Sequence, residues 1–270
     1  MQLKADQPIG IFDSGVGGLT VAHAIKSLLP QEKIIYFGDT FHLPYGDKSS
    51  ESVRYYASRI SDFLLEKHCK TVMIACNTAS SSAFDEVVEH VADRAIVMNV
   101  VDPIVSLVSE KHADGRVGVI GTKGTINSGT YEHKIRQKNT SLEVISMATP
   151  LFVPMIEEGF IFDDISNAII RAYLTDKRFS GIHTMILGCT HYPIIKRQIE
   201  KLFNFGVDIV DSGNIVANKL KRTLEEKGLM HTGKPAKHEF YISDYTPYFE
   251  KIAKMFFEEE VHLEHLNFWK

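Results

Sequence analysis

Cysteine is scarce. Three in 270 residues, an odd number, cannot form a disulfide framework and point to a reducing cytoplasm. Long apolar runs are missing too, and none approaches the roughly 18 residues of a spanning helix, so no membrane partner is expected. The opening Met1 to Pro8 is polar and has no signal-peptide core. Neither sign of charge dominates: 30 basic against 34 acidic residues give −4, no basis for binding nucleic acid or an anionic membrane. Two phosphate-binding patterns fail. Gly15-x-Gly17-Gly18 is not the dinucleotide spacing, and its acidic residue, Asp13, precedes the glycines; Gly10 to Gly15 is followed by Val16-Gly17, not by Lys and Ser/Thr. Cys76 with Cys189-x-His191 lacks the close ligand pairs of a zinc site. Neither a metal nor a cofactor is expected.

What is present is ordinary in bulk and specific in arrangement. Hydrophobic residues make up 44% and charged ones 24%, enough core for one large domain or two of ordinary size. Short apolar runs read as strands at Ile9 to Phe12, Lys33 to Phe37, Val72 to Ala75, Ala95 to Val100, Arg116 to Ile120, Leu142 to Ser146, His183 to Leu187, Val207 to Val210 and near Phe240. Helical patterns separate them: Leu19 to Leu29, Ser49 or Ser50 to His68, one after Cys76, one from Asp102-Pro103, Pro150 to Glu158, Phe162 to Leu174, one with Pro193 in its first turn, one reaching Lys227, and one from Pro247. A polar linker, His231 to Pro235, precedes the last strand. This alternation predicts α/β architecture with mainly parallel sheets flanked by helices, and ligands at the C-terminal strand ends. Asp13, Asp39, Cys76, Thr122 and Cys189 all occupy such positions.

The chain echoes itself. Val72-Met73-Ile74-Ala75-Cys76-Asn77-Thr78 is answered by Met185-Ile186-Leu187-Gly188-Cys189-Thr190-His191, and Ile9 to Ser14 by Val117 to Thr122. The offsets, 113 and 108, are close enough to suggest two related halves. Two thiols facing across a cleft suit proton removal beside a carboxylate with inversion, in which one group takes the proton and another returns it on the opposite face. A free thiol is a few per cent ionised at neutral pH, so neighbours must tune it. His191 is placed to accept or return the Cys189 proton, Asp13 and Asp39 lie in the half carrying Cys76, and Thr78 and Thr190 stand near helix starts, where hydroxyl and amide groups bind carboxylates. Amides of the glycine turn and the Ser14 hydroxyl are suited to a small carboxylate. Cys69, in a polar stretch, reads as a core residue.

Six motifs in order carry a resemblance: Gly10-Ile11-Phe12-Asp13-Ser14-Gly15-Val16-Gly17-Gly18, Phe37-Gly38-Asp39-Thr40, Pro44-Tyr45-Gly46, Ala75-Cys76-Asn77-Thr78, Pro150-Leu151-Phe152-Val153-Pro154 and Gly188-Cys189-Thr190-His191-Tyr192-Pro193. Together they resemble the glutamate racemases, cofactor-independent isomerases that supply D-glutamate for peptidoglycan. The resemblance implies two similar α/β domains, 1–99 plus 212–270 and 100–211, with the active site in the cleft between them. It implies that Cys76 deprotonates D-glutamate and Cys189 L-glutamate, that Asp13, Glu157 and His191 assist the thiols, and that Asp13, Ser14, Tyr45, Gly46, Asn77, Thr78, Thr190 and His191 contact substrate. Asp39 and Thr122, as strand-end residues, join these contacts. A cytoplasmic homodimer is implied as well. So is the absence of regulation through an N-terminal extension, for which the residues before Ile9 leave no room.

Three rivals remain at this stage. Pocket size is not written in one sequence, so a racemase for aspartate or another acidic substrate stays open. A single-cysteine hydrolase would use Cys189 with His191 and tolerate loss of Cys76. A carboxylate-binding protein would need neither thiol.

Overall fold

The computed structural model describes residues 2–234 and 237–270; Pro235, the end of the expected linker, lies outside them. Ten strands form: β1 (Ile9–Asp13), β2 (Ile34–Gly38), β3 (Thr71–Ile74), β4 (Ile96–Asn99), β5 (Gly115–Gly121), β6 (Leu142–Ala148), β7 (Thr184–Gly188), β8 (Asp208–Val210), β9 (Glu239–Ile242) and β10 (Glu264–His265). Nine match the expected runs to within a few residues. The two-residue β10 is too short to leave a periodic signal.

The strands assemble into two sheets, β10-β9-β2-β1-β3-β4 and β6-β5-β7-β8, and every pairing among the described residues is parallel. Within the first lies the order β2-β1-β3-β4, which β6-β5-β7-β8 repeats. The echo in sequence is therefore an echo in topology: Cys76 follows β3, Cys189 follows β7, and each of those strands neighbours the first strand of its half. β1, β2 and β7 are buried along their whole length, the mark of a parallel sheet covered on both faces. On one face of the first sheet, Phe12, Ile35, Phe37, Val72 and Ile74 pack against the helices Ser50–Glu66 and Phe84–Val91. On the other, Ile9, Ile11 and Tyr36 join a core that runs on through the helices Leu19–Leu28, Gly213–Glu226 and Pro247–Phe257 to Met185 and Leu187 of β7. This shared core holds the two sheets together.

The helices follow local chemistry. The Ser49 hydroxyl accepts from the Ser52 amide and starts the helix Ser50–Glu66. Asp163 and Ser166 form a reciprocal cap for Asp164–Leu174. After Cys76 one helix was expected and two form, Asn77–Ser82 and Phe84–Val91, parted at Ala83. Asn77-Thr78-Ala79-Ser80-Ser81-Ser82 is a weak helix former whose side chains compete for backbone groups, so the first helix stays short. Two further helices, Lys123–Asn127 and Thr130–Lys138, joined through Gly129 in the left-handed region, fill the segment between β5 and β6. No helix among the described residues is long and apolar enough to cross a membrane.

Candidate active site

The C-terminal ends of the two sheets converge on one narrow cavity, whose free volume of about 20 Å³ is roughly that of one water. Ser14, Tyr45, Gly46, Cys76, Asn77 and Thr78 line it from the first half, and Thr122, Cys189, Thr190 and His191 from the second. Leu43, Pro44, Val153 and Gly188 complete the wall. Of the expected site residues, all but Asp13, Asp39 and Glu157 line this space, and those three stand directly behind it.

On the second half, Cys189 follows the last residue of β7 and is 6% exposed. Its sulfur is 3.8 Å from His191 Nδ1, and His191 Nε2 is 3.0 Å from Glu157 Oε1. Glu157 ends the helix Phe152–Glu157, so a carboxylate, an imidazole and a thiol form one chain. Burial alone would lower the His191 pKa. Hydrogen bonds to Cys189 and Glu157 outweigh it, and the imidazole is raised well above its ordinary value. A cation there is the counter-charge that a thiolate requires.

The first half is arranged differently. Cys76, 5% exposed, caps the helix Asn77–Ser82, its sulfur accepting from the Ala79 amide at 3.5 Å and lying 3.6 Å from the Ser14 hydroxyl. Burial, reinforced by the nearby Asp13, pushes the thiol up to about 12. Asp13 itself is fully buried: Oδ2 accepts from the Gly15 and Gly18 amides at 3.1 and 3.0 Å, and Oδ1 from the Thr190 hydroxyl at 3.4 Å. Burial raises its carboxyl pKa, against the pull of His191 and the turn amides. Asp13 thus organises the glycine turn and ties it to the Thr190-His191 segment. The pair is unequal: Cys76 has Asp13 nearby and a raised thiol pKa, and Cys189 has beside it an imidazole whose pKa is raised.

Around the sulfurs are donors for carboxylates. Ser14, Thr78, Thr122 and Thr190 bring hydroxyls; the Thr78 and Thr122 oxygens, from opposite halves, are 2.9 Å apart. Tyr45 is held by Asp39, whose Oδ2 accepts from the phenol at 2.7 Å. Burial and that carboxylate push the phenol well above its ordinary range, so it remains a donor. Asp39 does not face the cavity. Its Oδ2 is also 2.9 Å from His42 Nδ1, and its Oδ1 accepts from Ser243 and Trp269 at 2.7 Å each. The strand-end position was legible, but Ser243 and Trp269 lie more than 200 residues downstream and turn this carboxylate away from substrate.

Two glycines let the halves meet. A Cβ on Gly17 would lie 2.5 Å from His191 Nδ1, and one on Gly46 would lie 2.6 Å from Thr122 Cβ. Sequence reasoning missed Tyr131, whose hydroxyl donates to Asn77 Oδ1 at 2.7 Å, and gave no lining role to Val153; Leu43, next to Pro44, bears on access to the cleft and stands in its wall. No motif marks Tyr131; Val153 lies inside the Pro150–Pro154 motif and Leu43 directly precedes Pro44-Tyr45-Gly46.

A model of the Asp/Glu/Hydantoin racemase family matches residues 19–220. The chain is 40% identical over 261 residues to a glutamate racemase of Chlorobaculum parvum, covering 96% of each, and 41% identical to one of Geobacter metallireducens, covering 92% of each. The crystal structure of Francisella tularensis glutamate racemase in complex with D-glutamate superposes with a TM-score of 0.92 at 40% identity, covering 98% of this chain and 99% of that one. Two parallel-sheet halves with the same strand order, a thiol at the same strand end of each, and near-full-length likeness at this identity agree: the chain belongs to the Asp/Glu/Hydantoin racemase family, among the glutamate racemases.

Proposed function

We propose that the chain interconverts L- and D-glutamate by two-thiol proton transfer, the observation that carries this being one cavity lined by Cys76 and Cys189 from equivalent strand ends. With L-glutamate bound, the Cys189 thiolate removes the α-proton and the electron pair is held by the planar carbanion. The Cys76 thiol then delivers its proton to the opposite face, leaving D-glutamate and a Cys76 thiolate. The reverse reaction runs the same steps from the other side. His191, raised toward its protonated form and held by Glu157, offsets charge at Cys189. Asp13 sets the turn beside Cys76 and engages Thr190. Ser14, Asn77, Thr78, Thr122, Thr190 and the backbone of Tyr45 and Gly46 receive the two carboxylates, and Asp39, by accepting the Tyr45 phenol proton, holds that segment in place. The acids and bases are all on the chain, so the chemistry asks for no cofactor.

Strand membership supports domains at 1–99 plus 212–270 and at 100–211. Three free thiols suit the cytoplasm, where the D-glutamate would supply peptidoglycan synthesis. Leu151, Phe160, Phe162 and Ile165, all exposed, suit a homodimer contact, measurable by sedimentation. The deciding experiment is incubation with L-glutamate in D₂O without added cofactor. Decay of optical activity with deuterium at the α-carbon is expected; unchanged, undeuterated L-glutamate would overturn the reading. L-aspartate in a parallel arm tests substrate length.

A further inference from the structure

Asn77 lines the cavity and is 2% exposed. Its carbonyl oxygen is occupied by the Tyr131 hydroxyl at 2.7 Å, while its amide nitrogen, also buried, has no hydrogen-bond partner among the described residues. A buried donor left unpaired is unfavourable, and in a cavity built for a dicarboxylate the group that satisfies it is a carboxylate oxygen. A carboxamide is nearly symmetric in shape but not in chemistry: one end donates and the other accepts. Turned the wrong way, the carbonyl would face the substrate carboxylate and repel it. What decides the orientation is the phenol on the far side. Tyr131 is buried, and its hydroxyl needs an acceptor, which Asn77 Oδ1 provides. The two residues come from opposite halves, Tyr131 from the helix Thr130–Lys138 and Asn77 from the segment after β3.

We propose that Tyr131 is a positioning residue: by donating to Asn77 Oδ1 across the seam between the halves, it holds Asn77 Nδ2 toward the cavity as a donor to a substrate carboxylate. The bond joins the two halves, so the orientation of the donor depends on how they pack against each other.

The inference rests on the racemase reading, and Tyr131→Phe tests it by removing one oxygen while keeping the ring. With kcat and KM measured in both directions, KM is expected to rise about tenfold for each enantiomer, the size of one lost hydrogen bond, with kcat within about twofold. Asn77→Ala raises KM as well. Because Tyr131 acts through Asn77, the double variant is expected to bind no worse than Asn77→Ala alone. Asn77→Asp, which leaves Tyr131 untouched, should raise KM beyond Asn77→Ala, since an acceptor then faces the carboxylate. An unchanged KM in Tyr131→Phe, or losses that multiply in the double variant, would overturn the proposal. Should Tyr131→Phe fail to fold, Asn77→Asp binding as well as Asn77→Ala overturns it alone. If the wild type leaves L-glutamate undeuterated, the racemase reading fails; if the wild type racemises and these variants miss the expected pattern, only the role of Tyr131 fails.

Discussion

At the scale of single residues, two chemically identical thiols are made unequal by what lies behind them. Cys76 has Asp13 nearby and a pKa pushed up to about 12, whereas Cys189 has an imidazole raised toward its cation. A tempting expectation is that losing one thiol damages one direction only. It does not follow, because the enantiomers are isoenergetic in water and the ratio of forward to reverse kcat/KM cannot change. Cys76→Ala is therefore expected to lower kcat/KM by about 10³ or more, by the same factor from L- and from D-glutamate, as polarimetry in both directions would measure. Retention of substantial activity would favour the single-cysteine alternative. The pair of cysteines was legible because each repeats its flanking pattern. The place of Asp39 was not, because a strand-end position says where a residue is and not which distant donors claim its side chain.

At the scale of elements, the first sheet has two extra strands that arrive late in the chain, and ion pairs fasten the first of them, β9. Glu239 on β9 accepts from Lys33 at 2.5 Å, Lys67 at 3.3 Å and the Tyr241 hydroxyl at 2.6 Å. Desolvation would raise the Glu239 pKa, but these partners prevail and hold it down to about 2. The folded carboxylate binds its proton less tightly than the unfolded one, so the cluster stabilises above about 4.5 and its contribution fades as pH falls toward about 2. Glu239→Gln should destabilise by about 1 kcal/mol at neutral pH, after allowance for the cluster's partial exposure. Urea unfolding of both proteins should show the gap closing below 4.5; a gap independent of pH would contradict it. Composition revealed β9 as a strand, but its partner, β2, is some 200 residues away and had no signature.

At the scale of the molecule, the cavity is formed where the two halves meet closely. The contact between Gly46 and the Thr122 side chain leaves no space for a methyl group. Gly46→Ala should hold the halves apart at the cavity mouth and lower kcat/KM about tenfold or more, the scale on which small misplacements of reacting groups are felt. Its melting temperature should fall little, because Gly46 lies in the three-residue 3-10 turn Tyr45–Asp47 and no strand or α-helix is touched. A variant of full activity would show that the halves need not approach this closely during turnover.

The sequence by itself determined the α/β alternation, nine of the ten strands, the internal repeat and the two thiols, since all are carried by local periodicity or by near neighbours along the chain. Tertiary structure alone decided that both sulfurs share one cavity, that Glu157 rather than Glu158 reaches His191, that Asp39 turns outward to Trp269, and that Tyr131 aims Asn77. Those are contacts between segments far apart in the chain. They depend on register, helix rotation and side-chain direction, all set when two sheets pack through a shared core.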